Sequence, residues 1–212
     1  VKIVANVEDF ERLKLRCLNG THSALAYLGY LAGFKTIFEV VSHPVFEVFL
    51  NKLWNNEILP SVVPPPEFEI SVYIDKLFER YKNPNIRHLT KQIAMDGSQK
   101  LPQRILGTII DNLKFERNID LLCEVVAAWI RYTSGKDEFG NKFDVIDPKA
   151  QKFSEIHKEE NIATHLVEGY LLLDDIFPLE LRRNDIFRTT LEEVLVRQIN
   201  GGTLKSLEKV LA

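Results

Sequence analysis

The segment from Glu11 to His22 combines side chains that could move a proton and polarise a carbonyl group. Lys14, Asn19 and His22 fit one predicted helix, because at about 100° per residue they fall within about 140° of one another. A lysine that is partly desolvated and close to another cation has a lowered pKa, so it can exchange a proton with an alcohol or carbonyl oxygen. Asn19 and His22 could donate hydrogen bonds to that oxygen, and Glu11 could relay the proton to solvent. The same side chains are also common on solvated helix faces, where Glu11 and Lys14 would form an ordinary ion pair.

A second polar segment, from Gln92 to Arg104, predicts an anion site. Asp96-Gly97-Ser98 is typical of a turn, and Pro102 fits the first position of a new helix. Lys100 and Arg104 would then lie around a helix N-terminus, where the helix dipole adds to their attraction for an anion. The alternative is that both are solvated cations of a first helical turn.

Helical periodicity dominates the elements that must position these side chains. Apolar residues recur three or four positions apart in Ile70 to Tyr81, Ile119 to Ile130, Ile186 to Ile199 before Gly201-Gly202, and, after a Thr203 cap, Leu204 to Leu211. Strand evidence is confined to Val1–Val4 and Phe143–Ile146, and neither is followed by hairpin chemistry. The pattern predicts a mainly α fold, and no shift of composition divides residues 1–212 into two domains.

Charge and composition restrict the class of partner. The chain has 27 Lys and Arg against 30 Asp and Glu, a net charge of −3, and the two signs are interleaved rather than gathered into a basic stripe for nucleic acid. No apolar stretch approaches the roughly 20 residues of a membrane helix. Cys17 and Cys123 are far apart, which predicts neither a zinc knuckle nor a disulfide framework. We therefore expect a soluble, cytoplasmic protein with no nucleic-acid or membrane partner.

The sequence contains neither Gly-x-Gly-x-x-Gly nor Gly-x4-Gly-Lys-Ser/Thr, so it offers no recognisable phosphate cradle for a nucleotide. The chain begins at Val1, and its only methionine is Met95. We expect it to be a fragment of a longer protein, in which any nucleotide is bound elsewhere.

Two interpretations without this proton chemistry stay open. The chain could be a helical interaction module in which the Lys14 face meets a partner domain. A metal site is the other alternative, because His157 and His165 lie eight residues apart with Glu155 and Glu159 nearby. A solvated helix face explains that second group of residues more simply.

The first segment, Lys14-x4-Asn19-x2-His22 extended to Gly29, resembles the catalytic helix of the polyol-specific long-chain dehydrogenases, the mannitol dehydrogenase family. The second segment, from Asp96 to Arg104, is most similar to the members that act on sugar acids, the D-mannonate oxidoreductases or fructuronate reductases. The resemblance implies a multi-helical C-terminal domain over residues 1–212, like that of 6-phosphogluconate dehydrogenase-type enzymes. It also implies that the N-terminal Rossmann domain that binds NAD is absent from this chain.

The resemblance implies a role for each matching residue. Lys14 corresponds to the general acid/base, Asn19 and His22 to the donors that polarise the carbonyl, and Glu11 to a proton-relay neighbour. The resemblance also implies Lys100 as a substrate-binding cation, and we expect Arg104, Gln92 and Asp96 to be the other substrate-binding residues. Mannitol-specific members carry an arginine where Gln92 stands, which argues against mannitol as the substrate.

The implied activity is the NAD-dependent, metal-independent oxidation of D-mannonate to D-fructuronate and its reverse, a step of hexuronate catabolism. Oxidation of mannitol, altronate or another polyol by the same residues is the alternative. The implied partners are a small sugar acid or polyol and the protein's own N-terminal Rossmann domain. We expect the chain alone to be inactive.

Overall fold

The computed structural model describes residues 7–159 and 162–212. Within these ranges the α-helices are α1 (Val7–Leu13), α2 (Thr21–Leu31), α3 (Ile37–Ser42), α4 (Pro44–Lys52), α5 (Ile70–Tyr81), α6 (Thr90–Ile93), α7 (Gly97–Leu101), α8 (Gly107–Lys114), α9 (Asp120–Tyr132), α10 (Ala150–Glu159), α11 (Ala163–Leu171), α12 (Leu179–Arg182) and α13 (Asp185–Leu211). Three π-helices, π1 (Lys14–Gly20), π2 (Leu53–Ile58) and π3 (Pro102–Leu106), and a 3₁₀ turn (Leu59–Ser61) complete the set. The mainly α prediction is confirmed, since these ranges contain no strand, and the alternating residues Val1–Val4 lie outside them.

Two long helices carry the predicted site segments, and each contains a π-helical stretch. α1, π1 and α2 follow one another without a break, as do α7, π3 and α8. In a π-helix the backbone hydrogen bond spans five residues, so each residue turns through less than the 100° of an α-helix. The prediction of a regular α-helix from Lys14 to His22 is therefore wrong over Lys14–Gly20.

Helix α7 begins five residues before the start predicted from Pro102. The Asp147 carboxylate accepts hydrogen bonds from the Ser98 N–H (2.8 Å) and hydroxyl (2.6 Å), and so it satisfies donors in the first turn. Asp147 belongs to a distant loop, which is why the local sequence does not reveal this helix start. Lys100 consequently lies in the first turn and Arg104 about one turn later, so the prediction that both flank an N-terminus at Pro102 is wrong.

The hydrophobic core surrounds α9, which is buried along nearly its whole length and packs against α13 and α2. The helices predicted over residues 70–81 and 119–130 are confirmed as α5 and α9. The two predicted C-terminal helices form α13, which is interrupted at Gly202, where φ is 78°. A positive φ favours glycine, so the sequence correctly located this break.

Arg16 fixes π1 to the second long helix. Its guanidinium lies 2.6 Å from the Asp111 carboxylate of α8 and donates to the carbonyl oxygens of Ser61 (2.8 Å) and Gly107 (3.3 Å). The Arg16 side chain is only 9% exposed, so these partners compensate for the removal of its charge from water. This ion pair keeps the two site-bearing helices in one register.

The loop between α9 and α10 is irregular. The Phe143 N–H donates to the Gly135 carbonyl (2.9 Å), and an isolated antiparallel bridge joins Lys136 to Lys142. The brief pairing that Phe143–Ile146 could make is limited to single bonds, one from the Phe143 N–H and one from the Asp96 N–H to the Ile146 carbonyl, so the segment forms no strand.

Two expectations from composition can be compared with the described residues. Cys17 and Cys123 are both buried and free, in agreement with the prediction of no disulfide framework. Among the helices in the described ranges, none has both the length and the apolar composition to cross a bilayer.

Candidate functional site

The two polar segments predicted from the sequence meet where π1 crosses π3. A Cβ atom on Gly20 would lie only 2.8 Å from the Arg104 carbonyl oxygen, so the two backbones approach as closely as a glycine permits. Arg104 also donates through Nη1 to the Ser23 hydroxyl of α2 (3.2 Å). The crossing thus places a cation of the second segment beside the helix that carries Lys14, Asn19 and His22.

We expect Gly20→Ala to lower the free energy of unfolding by about 1–3 kcal/mol, because the added methyl group must push rigid backbone apart. Urea denaturation measures this loss. Gly201→Ala is a matched control, since a Cβ there would meet Lys205 Cβ at an ordinary 3.5 Å. Equal stability of the two variants would contradict a tight crossing at Gly20.

Lys14 and Asn19 lie five residues apart within π1, and the five-residue π-turn brings them to the same side of the helix. Asn19 is half-buried, whereas Lys14 and Glu11 are exposed, and no ion pair joins these two in the described part of the chain. The expectation that this chain partly desolvates Lys14 is therefore wrong. Any desolvation of its ammonium group has to come from a bound substrate or another domain.

His22 is half-buried at the start of α2 and packs against two rings. Its centroid lies 4.7 Å from that of Tyr81 and 5.2 Å from that of His88, while its buried Nε2 atom has no hydrogen-bond partner among the described residues. Burial, reinforced by His88, Arg80 and Arg104, lowers the pKa of His22 to about 3. The imidazole is therefore neutral near pH 7 and can donate through only one ring nitrogen.

Tyr81 gives His22 a rigid support. The Tyr81 hydroxyl donates to the Leu18 carbonyl (3.0 Å) and lies 2.8 Å from the Thr21 hydroxyl, so the ring of α5 is fixed to the helix that carries His22. Trp54 stacks on the same tyrosine with an interplanar angle of 7°. The face of His22 that rests on Tyr81 is thus set by the core.

Lys100 and Arg104 are held near each other while retaining unused donors. Lys100 Nζ donates to the carbonyls of Met95 (2.6 Å) and Ile93 (3.4 Å) and lies 4.0 Å from an Asp96 carboxylate oxygen. Burial and then Arg104 lower the pKa of Lys100. Arg104 is half-buried, and its Nε has no hydrogen-bond partner in the described ranges. The pair can therefore attract an anion.

Asp96 and Gln92 contribute less directly to the candidate anion site than Lys100 and Arg104 do. Asp96 adopts the left-handed conformation with φ of 55°, and its carbonyl accepts the N–H groups of Gln99 and Lys100. The turn occupies residues 94–96, and Gly97 is already helical, one step away from the predicted Asp96-Gly97-Ser98 turn. Gln92 is exposed on α6 and makes no side-chain hydrogen bond with a described residue.

Residue types and spacing did not point to His88, Tyr81 and Ser23, although all three contact predicted site residues. Each is distant in sequence from at least one of its partners, and only the folded chain brings them together. Gly20 was the available signal, because a glycine inside a predicted helix next to Asn19 indicates a close approach of another backbone.

The alternative of a metal site at His157 and His165 is not supported. Among the side chains that the structure describes, which exclude that of Glu159, no group of three His, Cys, Asp or Glu is arranged to hold a metal ion. His157 Nε2 instead lies within hydrogen-bond distance of the Ile130 carbonyl (3.0 Å) and the hydroxyls of Thr133 and Tyr170 (both 3.2 Å). This histidine is part of the packing between α9, α10 and α11.

Comparisons with known proteins agree on one family. The mannitol dehydrogenase C-terminal domain family matches residues 6–197. The chain is 43% identical over 186 residues to D-mannonate oxidoreductase of Escherichia coli K12, covering 88% of this chain and 38% of that protein. It is 34% identical over 209 residues to mannitol 2-dehydrogenase of Emericella nidulans, covering 99% of this chain and 41% of that protein.

A solved structure of similar shape is Pseudomonas fluorescens mannitol 2-dehydrogenase in a ternary complex with NAD and D-mannitol. The TM-score is 0.94 at 26% sequence identity, and the match covers 100% of this chain and 42% of that one. The chain thus spans about two fifths of the length of the relatives that it matches.

Proposed function

Since the chain belongs to the mannitol dehydrogenase C-terminal domain family, we propose that it is the substrate-binding and catalytic domain of an NAD-dependent D-mannonate oxidoreductase. In this role it would act together with an N-terminal Rossmann domain that binds NAD. The reaction is the reversible oxidation of the C5 hydroxyl of D-mannonate to the ketone of D-fructuronate.

The crossing of π1 and π3 is the observation that best supports this proposal. A uronate or aldonate differs from a polyol by its carboxylate, and a carboxylate is best bound by charge-assisted hydrogen bonds from a cation. Arg104 contacts Ser23, one residue from His22, and Lys100 lies one helical turn before Arg104. The anion-binding groups are thus next to the groups that would hold the reacting oxygen. The 43% identity with a D-mannonate oxidoreductase supports the same substrate class.

The proposed chemistry uses Lys14 as the base. Its neutral amine takes the hydroxyl proton as the carbon loses a hydride, while Asn19 and neutral His22 donate hydrogen bonds to the oxygen that becomes the carbonyl. Glu11, exposed one turn before Lys14, passes the proton to solvent. In the reverse direction the same lysine, protonated, returns the proton to the alkoxide.

NAD, when bound, accepts the hydride. The sequence has no glycine-rich turn at a helix start to bind its pyrophosphate. The residues of this chain are therefore suited to bind the reacting part of the substrate rather than the nucleotide. For this reason we assign nucleotide binding to the Rossmann domain. That domain and the substrate would also remove Lys14 from water.

A polyol such as mannitol, or altronate, is the second candidate substrate. The similarity in shape to a mannitol 2-dehydrogenase, with a TM-score of 0.94, favours it. Two observations argue against mannitol as the substrate. Gln92 is exposed where mannitol-specific members carry an arginine, and an uncharged polyol does not need the two cations Lys100 and Arg104.

Steady-state kinetics of the full-length protein with NAD and D-mannonate, D-altronate or D-mannitol tests the proposal. We expect kcat/KM for D-mannonate to exceed that for mannitol by about 10²-fold or more, because mannitol leaves the cations without their partner. A preference for mannitol would assign the polyol function instead. Absence of turnover on all three substrates would favour the helical interaction module.

A further inference from the structure

The ring of His88 packs against the ring of His22. The two imidazoles meet edge to face, with an interplanar angle of 82° and a centroid separation of 5.2 Å. The His22 ring also packs on the ring of Tyr81, with a centroid separation of 4.7 Å. His22 is therefore in contact with both a buried tyrosine fixed by the core and a half-exposed histidine from a loop.

The loop that carries His88 is tied to the segment that follows α2. The Ile37 N–H donates to the His88 carbonyl, and the His88 N–H donates to the Ile86 carbonyl, both at 2.9 Å. Leu89 forms an antiparallel bridge with Thr36 directly beside these bonds. Because this segment is continuous with the helix that carries His22, the two histidines have a fixed relative position.

The groups around His22 disfavour its protonation. Those that act on it are Tyr81 and Arg80 from α5, His88 from the loop and Arg104 from π3, and none of them is a carboxylate. Burial is the largest cause of the low pKa of His22, and His88 is the next. Burial also lowers the pKa of His88 itself, with Arg80 adding to the effect.

We propose that His88 is a positioning residue of the substrate site, whose ring fixes the His22 imidazole against Tyr81 so that its N–H points at the substrate oxygen. His88 acts through packing and exclusion of water rather than through a bond to the substrate. The inference rests on the proposed function, in which His22 donates a hydrogen bond to the reacting oxygen.

Titration of His22 in the chain, followed by NMR of labelled imidazole rings, tests this role without turnover. In the unsubstituted chain and in His88→Phe, which keeps an aromatic ring, we expect His22 to stay neutral down to about pH 4.5. In His88→Ala water reaches the ring, and its pKa should rise above about 5, toward the ordinary value of about 6.5. A His22 titration unchanged in His88→Ala would overturn the proposal.

His43→Ala is a matched control. His43 is also half-buried against aromatic rings, those of Phe34 and Phe46, and its buried Nδ1 lacks a hydrogen-bond partner in the described part of the chain. His43 is not among the groups that lower the pKa of His22, so removing the His43 ring should leave the His22 titration unchanged.

Kinetics of the full-length protein supply the second measurement. We expect His88→Ala to lower kcat/KM for D-mannonate by about 10-fold, less than the 10²–10³-fold cost of losing a donor outright, and His88→Phe to restore most of it. Equal losses in both variants would overturn positioning by packing. Failure of the unsubstituted protein to oxidise D-mannonate would overturn the proposed function alone, since the NMR titration does not depend on it.

Discussion

Replacing Lys14 by alanine in the full-length protein is expected to lower kcat for D-mannonate oxidation by about 10²–10⁴-fold, with KM changed far less. A general base acts mainly in the transition state, so its removal raises the barrier without weakening substrate binding. Lys14 is exposed in this chain, so its removal should not disturb the core. Steady-state kinetics, together with a melting curve of the variant, measure both effects.

Lys76→Ala is the matched control, because Lys76 is another exposed helical lysine and lies on α5. We expect it to keep the turnover of the unsubstituted protein. Primary amines added to the Lys14→Ala protein should restore part of the rate by taking the place of the missing base. Near-normal turnover of Lys14→Ala would remove Lys14 from the mechanism and leave π1 with a purely structural role.

Lys100→Met is expected to weaken D-mannonate binding by about 10- to 150-fold, the worth of a charge-assisted hydrogen bond of roughly 1.5–3 kcal/mol. Mannitol, which has no carboxylate, should lose much less. Two of the donors of Lys100 already bind the backbone carbonyls of Ile93 and Met95, so the remaining one is available to the substrate. The measurement is KM and kcat/KM on both substrates.

Lys91→Met, which removes an exposed cation from α6, controls for the general loss of charge. Gln92→Arg is the reciprocal variant, and we expect it to shift preference toward mannitol without abolishing hydride transfer, because the reacting groups are elsewhere. Equal losses on the two substrates for Lys100→Met would show that Lys100 binds a hydroxyl common to both. The sugar-acid assignment would then rest on similarity alone.

Periodicity and glycines were sufficient to predict several elements of the fold. The apolar residues from Ile70 to Tyr81 match α5, and the glycine pair at 201–202 marks the break in α13. Such features depend on residues that are neighbours along the chain, so the local sequence contains the necessary information.

The remaining features depend on partners that are distant in sequence. The N–H group of Ser98 at the start of α7 donates to Asp147, and Pro102, the residue directly after α7, misled the prediction of the helix start. The pairing of His22 with His88 is equally invisible, because a loop and a helix bring the rings together only in the folded chain. Residue types indicated the chemistry of the site, whereas its burial and geometry came from tertiary packing.

The π-helical stretch from Lys14 to Gly20 affects how this gene can change by insertion and deletion. A π-turn holds about one residue more than the α-turn that spans the same rise. Loss of a single codon within this stretch would convert the π-turn into an ordinary α-turn. The reading frame and the packing of the core would both be retained. The residues before and after the deletion would keep their relative orientation, because the shorter α-turn covers the same rotation, and Lys14 and Asn19, then four residues apart, would still share one face of the helix. Alignments of relatives should therefore show one-residue gaps tolerated within this stretch more often than in the α-helical turns on either side of it.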